Sequence, residues 1–260
     1  MLIFRIFRLS SSLFILTFVG ALFISCGKTK PRVLVFSKTE GYRHTDAINA
    51  GYEVLFKNAE EKGYVIDSTE DAMAFNEENL KNYQAVIFLD VSGALFNKEQ
   101  RTSFKRFIQA GGGFLATHAS VDAERDWPWY NQLIGAYFHS HGAVQEATYV
   151  TVDKNFPASS FLPDRFSHTD EHYNLMKVNP AIKVLVELDE KTFEGDNMGD
   201  FHPIVWYHEF DGGRSYYTGL GHTKETWDDA LYLQQFWEAL GWVTGGDNPA
   251  PLDYSRSMPE

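Results

Sequence analysis

The sequence predicts an α/β fold built on a mostly parallel central sheet, and three observations carry that prediction. Residues 32–36, 84–90 and 114–117 are unbroken apolar runs of strand length, as expected of strands covered on both faces. Segments with helical periodicity alternate with them. Each run leads into a loop that carries a chemistry-bearing group, namely His44, Asp90 and His118 in turn. In open α/β sheets, ligands bind outside the carboxyl ends of the strands.

Taken in order, residues 1–25 carry Arg5 and Arg8, then an apolar stretch, then small residues before Cys26-Gly27. This is the layout of a secretory signal, and the Phe23-Ile24-Ser25-Cys26 ending is that of a bacterial lipoprotein, in which Cys26 becomes the lipidated N-terminus. The other reading is an uncleaved anchor, although about 16 apolar residues fall short of the roughly 20 that span a bilayer. Either reading places the protein in the cell envelope, on the periplasmic or outer-membrane face, with membrane contact only through the N-terminal anchor. Residues 26–31 then form a tether, 32–246 one domain, and 247–260 a polar tail.

Strand 32–36 is followed by a helix that begins near Thr45-Asp46, whose side-chain oxygens suit an N-cap, with Ile48, Tyr52, Leu55 and Ala59 on one face. Residues 64–67 form a second strand, and 70–82 read as a polar connection. After strand 84–90, Asn97 and Gln100 make a capping box for a helix whose buried stripe is Phe104, Phe107 and Ile108. Gly111 to Gly113 end that helix and permit the tight entry into strand 114–117. Such alternation is that of a flavodoxin-like or doubly wound sheet. Beyond Asp126 come a helix to Ile134, an alternating strand at 148–152, a polar cluster at 168–173 in a loop, and strands at 182–188 and 204–208. Gly212-Gly213 marks a hairpin turn before strand 214–218, which ends on Gly219-Leu220-Gly221-His222, and a helix over 227–240 closes the fold.

Composition removes several functions. A net charge of −12 repels phosphate backbones, so nucleic acid is not an expected partner. Cys26 is the only cysteine, which leaves the folded domain without a thiol nucleophile, a disulfide or a cysteine zinc site. Neither glycine-rich piece matches a phosphate loop or a dinucleotide fingerprint, so no nucleotide cofactor is expected. The 21 Phe, 13 Tyr and 6 Trp suit a sugar-facing cleft and equally suit a large core.

Nine histidines in an acidic domain are the main functional signal. If the strands before His44, Asp90, His118 and His222 are parallel neighbours, these four groups share one rim. His44, His118 and His222 would then suit a divalent ion, zinc first, and would equally suit metal-free acid and base work. His139-Ser140-His141 in an extended segment puts both imidazoles on one face. Asp170-Glu171-His172 offers two carboxylates and an imidazole, read either as catalytic or as a salt-bridged turn. His208 alternates with Trp206 along a strand and reads as a core or surface histidine.

Several pieces in fixed order resemble one family: Gly41-Tyr42-Arg43-His44, the Gly-Gly-Gly-Phe-Leu-Ala-Thr-His-Ala run ending at Ala119, Phe138 with His141, Asp170 to Tyr173, Pro203 to Trp206, and Gly219 to His222. Together they are similar to the trehalose-utilisation (ThuA-like) family. The resemblance implies a three-layer sandwich like that of class I glutamine amidotransferases. It does not imply amidotransfer, because the elbow that carries a cysteine nucleophile there reads Thr117-His118-Ala119-Ser120 here. Ser120 lacks the Gly-x-Ser-x-Gly setting of a serine nucleophile. His172 departs from the family pattern, in which an apolar or aromatic residue is usual.

The resemblance further implies a carbohydrate ligand and chemistry on a disaccharide, glycoside or 3-keto-sugar derivative, as a lyase or hydrolase. The catalytic candidates are His118, His44, Asp170 and Glu171, and the substrate-binding candidates are Tyr42, Asp90, His141, Tyr173 and Trp206. The alternative is a non-catalytic sugar-binding lipoprotein.

Overall fold

The computed structural model describes residues 30–195, 198–246 and 249–257. The signal segment, Cys26, most of the tether and parts of the tail lie outside the described residues. Among the described residues no helix is long and apolar enough to cross a membrane.

The apolar runs are strands. β1 (Arg32–Phe36), β3 (Ala85–Phe88) and β4 (Gly113–Thr117) lie side by side in parallel, flanked by β2 (Val65–Thr69) at one edge. On the far side of β4 comes β11 (Gly213–Thr218), also parallel to it. The site is built on this five-strand half. The sheet then continues antiparallel through β10 (Pro203–Phe210), β9 (Lys183–Leu188), β6 (Gln145–Thr151) and β7 (Arg165–Asp170), nine strands among the described residues. A separate two-stranded ribbon pairs β5 (Tyr137–His141) with β8 (Tyr173–Met176).

Successive side chains of β1 point to opposite faces, so Val33 and Val35 enter one apolar cluster while Leu34 and Phe36 enter the other. The first cluster is covered by α1 (Thr45–Asn58), through Ile48 and Leu55, and by α5 (Ala230–Val243), through Phe236 and Leu240. The second is covered by α3 (Lys98–Gln109) and α4 (Pro128–Ile134). Helices on both faces of one sheet make the three-layer sandwich that the apolar runs predict.

Local chemistry agrees with the reading at several points. Asn97 and Gln100 exchange both capping-box bonds at the start of α3, each at 2.9 Å. The hairpin turn falls one residue earlier than Gly212-Gly213: Asp211 and Gly212, with φ of 48° and 95°, form the two-residue turn between β10 and β11, and Gly213 already pairs with Phe210. Positive φ at both central positions matches the right-handed strand twist, which is why a glycine stands there.

Three further readings are corrected. α1 begins one residue after His44, which is the N-cap without a side-chain cap bond, so Thr45 and Asp46 are its first helical residues. The stretch 70–82 is not a simple polar connection. It contains a 3-10 turn and a short helix, α2 (Glu77–Leu80), capped by Asp71 and Asn76, which tuck Ala72, Phe75 and Leu80 into the second core. The 168–173 cluster is not a loop, because β7 runs through Asp170 and β8 starts at Tyr173, leaving Glu171 and His172 as the link. Polar composition hid β7, an edge strand whose alternate residues are exposed, while β8 is a buried four-residue strand paired only with β5.

Candidate functional site

Parallel pairing of β1, β3, β4 and β11 aligns their carboxyl ends along one rim. β4 delivers His118 at the first position of a buried 3-10 turn, His118–Asp122, with φ of 29°. That left-handed backbone costs on the order of 1–3 kcal/mol and is retained here by the packing around it. The imidazole is fully buried, and its Nδ1 lies 2.9 Å from the Gly219 carbonyl oxygen. A carbonyl only accepts, so Nδ1 carries the proton and Nε2 faces the rim.

Nε2 of His118 is 3.1 Å from Nδ1 of His222 and 3.4 Å from Oε2 of Glu171, which in turn is 3.2 Å from Nδ1 of His222. The His44 ring stands edge-on at 4.9 Å from both the His118 and the His222 rings, and its buried Nδ1 has no hydrogen-bond partner. One ligand atom from each of His44, His118, Glu171 and His222 lies within 4.8 Å of the other three. Three imidazoles and one carboxylate are a donor set suited to zinc.

Electrostatics follow from this crowding. Burial, reinforced by the nearby His118 and His222 charges, pushes His44 down to about 3. Burial alone would raise Glu171, but hydrogen bonds from His118 and His222 and their charges hold its carboxyl far below the usual range. For His118, burial works downward and is outweighed by the Glu171 bond, the Asp90 and Asp170 charges and the Gly219 carbonyl, so its pKa is raised. The cluster therefore keeps an anion at its centre.

The cluster borders a cavity of about 410 Å³, lined by His44, His222 and Glu171 together with Tyr42, Ser92, Ala119, Asp122, Phe138, His141 and Tyr173. Tyr173 lies against His118, ring centroids 4.1 Å apart, and against Phe138 at 4.5 Å. His141 Nδ1 is 2.9 Å from Glu171 Oε1 and orients that carboxylate from the cavity side. Burial raises the Asp122 pKa against the opposing pull of Arg125.

Of the residues singled out from sequence, His44, His118, His222, Glu171, Tyr42, His141 and Tyr173 come together. Asp170, Asp90 and Trp206 do not line this cavity. Asp170 is fully buried and accepts bonds from the Gly221 and Glu171 amides and the Thr226 hydroxyl, all at 2.9 Å, so it ties the His222 loop to Glu171. Asp90 lies beneath the rim, where it accepts from Thr117 Oγ1 at 2.6 Å. Burial pushes its pKa up to about 6. Trp206 is a core residue rather than a stacking platform: its indole donates to Ile134 O at 2.8 Å and packs on Tyr217.

His139 is also displaced from expectation. The β5–β8 register shifts between Phe138 and Ser140; both His139 and His141 are exposed, and His141 is the one that reaches Glu171 at the site. His168, His172, His202 and His208 are structural, each bonded to a neighbouring backbone or side-chain group. The sequence reading passed over Asp122, Ser92 and Ala119. Asp122 and Ala119 follow His118 within one tight turn, a proximity that could have drawn attention to them.

Solved structures share this architecture. A ThuA-like protein from Bacteroides uniformis is 24% identical, with a TM-score of 0.72 over 82% of this chain and 91% of its own. A second, from Parabacteroides merdae, is 18% identical, with a TM-score of 0.70 over 88% and 99%. A β-galactosidase from Bacillus circulans sp. alkalophilus matches at 16% identity and a TM-score of 0.54, over 85% of this chain but only 32% of its own. At these identities the likeness is one of fold. No curated protein matches the sequence. The family model described as "Trehalose utilisation" matches residues 32–243, which is nearly all of the described domain, and the chain therefore belongs to the ThuA family.

Proposed function

We propose that this protein is a cell-envelope enzyme of carbohydrate metabolism, acting on a disaccharide, glycoside or 3-keto-sugar derivative at a divalent-metal site formed by His44, His118, His222 and Glu171. The observation that carries the reading is the convergence of those four side chains at the wall of an aromatic-lined cavity. The residues fit a metal. His44 leaves a buried Nδ1 without a partner, Gly219 fixes the His118 tautomer, and His141 braces the carboxylate. When bound, a divalent ion polarises an oxygen of the ligand.

The chain's own groups would do the rest. Tyr42, Phe138 and Tyr173 offer ring faces to a sugar, while Asp122 and His141 stand at the cavity wall as proton-transfer groups. A 3-keto group acidifies the adjacent C–H. A base that takes this proton leaves an electron pair that forms a C–C double bond as the glycosidic C–O bond breaks. The departing oxygen then takes a proton. The envelope location and lipid anchor rest on the pattern at residues 1–26.

Full-length protein supplied with zinc is expected to consume 3-keto-trehalose or 3-keto-glucosides in a chromatographic assay. Both substrates left intact, while a control enzyme consumes them, would overturn the reading.

A further inference from the structure

Eight arginines lie among the described residues, and six of them are held in ion pairs: Arg32, Arg43, Arg101, Arg106, Arg125 and Arg165. The two that are not, Arg214 and Arg256, line one cavity of about 290 Å³. Gln84, Gly111, Gly212 and Thr244 also line it, and among the described residues no aspartate or glutamate does. Asp211 and Asp253 stand on adjoining turns, but Asp211 accepts from the Gln109 side-chain amide and the Trp129 indole, at 3.0 and 2.8 Å, and Asp253 accepts from Ser255. In a chain of net charge −12 this is a local concentration of positive charge.

The cavity suits an anion with several oxygens. Arg214 lies over the Trp242 ring, its guanidinium carbon 5.5 Å from the centroid, and gives one N–H to the Trp242 carbonyl at 2.8 Å. That contact orients the guanidinium and leaves its other donors without a protein partner among the described residues. Arg256 is exposed, and its side chain makes no hydrogen bond there. Two such forks match the oxygens of a phosphate.

The place of the cavity in the fold selects where that phosphate comes from. Gln84, Gly111 and Gly212 precede β3, β4 and β11, so the cavity lies at the amino ends of the parallel strands, opposite the histidine rim. The Gln84 backbone N–H donates to the carbonyl of Arg32 at 2.8 Å, and Arg32 is the first residue of β1. The chain therefore arrives from Cys26 beside this cavity. The six residues from Cys26 to Arg32 reach at most about 22 Å. An acylated Cys26 thus keeps this end of the sheet close to lipid headgroups, at an effective concentration on the order of millimolar. A weak site suffices under such tethering.

We infer that this cavity is a second membrane contact, in which Arg214 and Arg256 take the phosphate of a lipid headgroup and the sheet stands with its histidine rim turned away from the bilayer. This rests on the lipid-anchor reading above and departs from a membrane contact made by the anchor alone.

The test is hydrogen exchange of the 250–257 segment in the full chain, reconstituted into vesicles of phosphatidylglycerol or of phosphate-free digalactosyl diacylglycerol. Exchange is expected to be about fivefold slower in the phospholipid, the protection given by an effective concentration near four dissociation constants. The readout is the ratio of the two rates, so that a general loosening of the tail by a substitution cancels. Arg256→Gln, at an exposed position, is expected to bring the ratio to about one, and Arg256→Lys, a point charge without the fork, to an intermediate value. Mass spectrometry of the N-terminal peptide reads the state of Cys26 separately. Equal rates in the two vesicles with Cys26 acylated, or an Arg256→Gln ratio that matches wild type, would overturn the docking and leave the anchor in place. Protection in the galactolipid by millimolar inorganic phosphate, equal to that in phosphatidylglycerol, would assign the cavity to a free anion and overturn it as a lipid site. An unacylated Cys26 would overturn both the anchor and the docking that rests on it.

Discussion

His118 and His222 place Nε2 and Nδ1 3.1 Å apart although 104 residues separate them in the chain. The contact exists because β4 and β11 pair in parallel, in register from Arg214 with Gly113 to Thr218 with Thr117; His118 follows β4 directly, and the Gly219-Leu220-Gly221 turn after β11 brings His222 back to it. Glu171 reaches the same point from the far side of the fold, held by the fully buried Asp170. Four side chains from four separate loops thus meet at one rim.

Zinc is expected to bind with about one equivalent per chain, as read by elemental analysis of protein purified without a histidine tag. At free zinc of about 100 times the dissociation constant, stability should rise by roughly 2.7 kcal/mol. His222→Ala and Glu171→Gln should each weaken zinc at least 10- to 100-fold, by analogy with losses seen even for supporting residues. An unchanged melting temperature with zinc, and no metal in the purified protein, would count against the site.

His118→Ala distinguishes an enzyme from a binder. In an enzyme, turnover should fall about 100-fold or more while sugar affinity changes little, since the side chain is buried behind the cavity wall. Circular dichroism establishes that the variant folds, and His222→Ala provides a second, partly exposed position for the same comparison. No turnover in wild type, with sugar affinity retained in both variants, would favour a sugar-binding lipoprotein.

Asp90 should make the protein less stable as pH rises. Its carboxyl sits at about 6 in the folded state, raised by burial above its ordinary value near 3.8. Below about pH 4 both folded and unfolded chains hold the proton, and no penalty applies. Between about pH 4 and 6 the unfolded chain ionises first, so stability falls by up to roughly 3 kcal/mol and then stays level. Asp90→Asn can still accept from Thr117 and carries no charge. Its stability relative to wild type should therefore improve from pH 3.5 to pH 7.5 in paired denaturant titrations. A difference that is flat over that range would refute the assignment.

Trp206→Ala should destabilise the fold by about 3–5 kcal/mol, as expected for emptying a large core site. Trp206→Phe keeps a ring against Tyr217 but leaves the Ile134 carbonyl without its donor, at about 1–3 kcal/mol. Sugar affinity should be unchanged in both, measured below their melting temperatures. A large affinity loss in the folded Phe variant would return Trp206 to the binding surface.

How far the sequence reached depended on whether the signal was local. Unbroken apolar runs marked β1, β3 and β4, and the Asn97–Gln100 box marked the start of α3, because burial on both faces and helix capping are written in adjacent residues. Asp170 and Glu171 could not be told apart in this way. Both are carboxylates on neighbouring positions, and only the β7 end decides that the first faces the Gly221 amide and the second the imidazoles. His139 and His141 looked equivalent at a spacing of two, and only the contact of His141 with Glu171 separates them.

By itself, then, the sequence determined the apolar strands β1, β3 and β4 and the helices that alternate with them, that the domain holds no thiol, and that His44, His118 and His222 follow apolar strands. Only the tertiary structure decided that these three share an anionic centre with Glu171, that Asp90 lies below the rim, and that Trp206 belongs to the core. The physical reason is that periodicity records burial along a single segment. Contact between residues a hundred positions apart, and the choice of which neighbour faces the cavity, depends on strand order and register across the sheet.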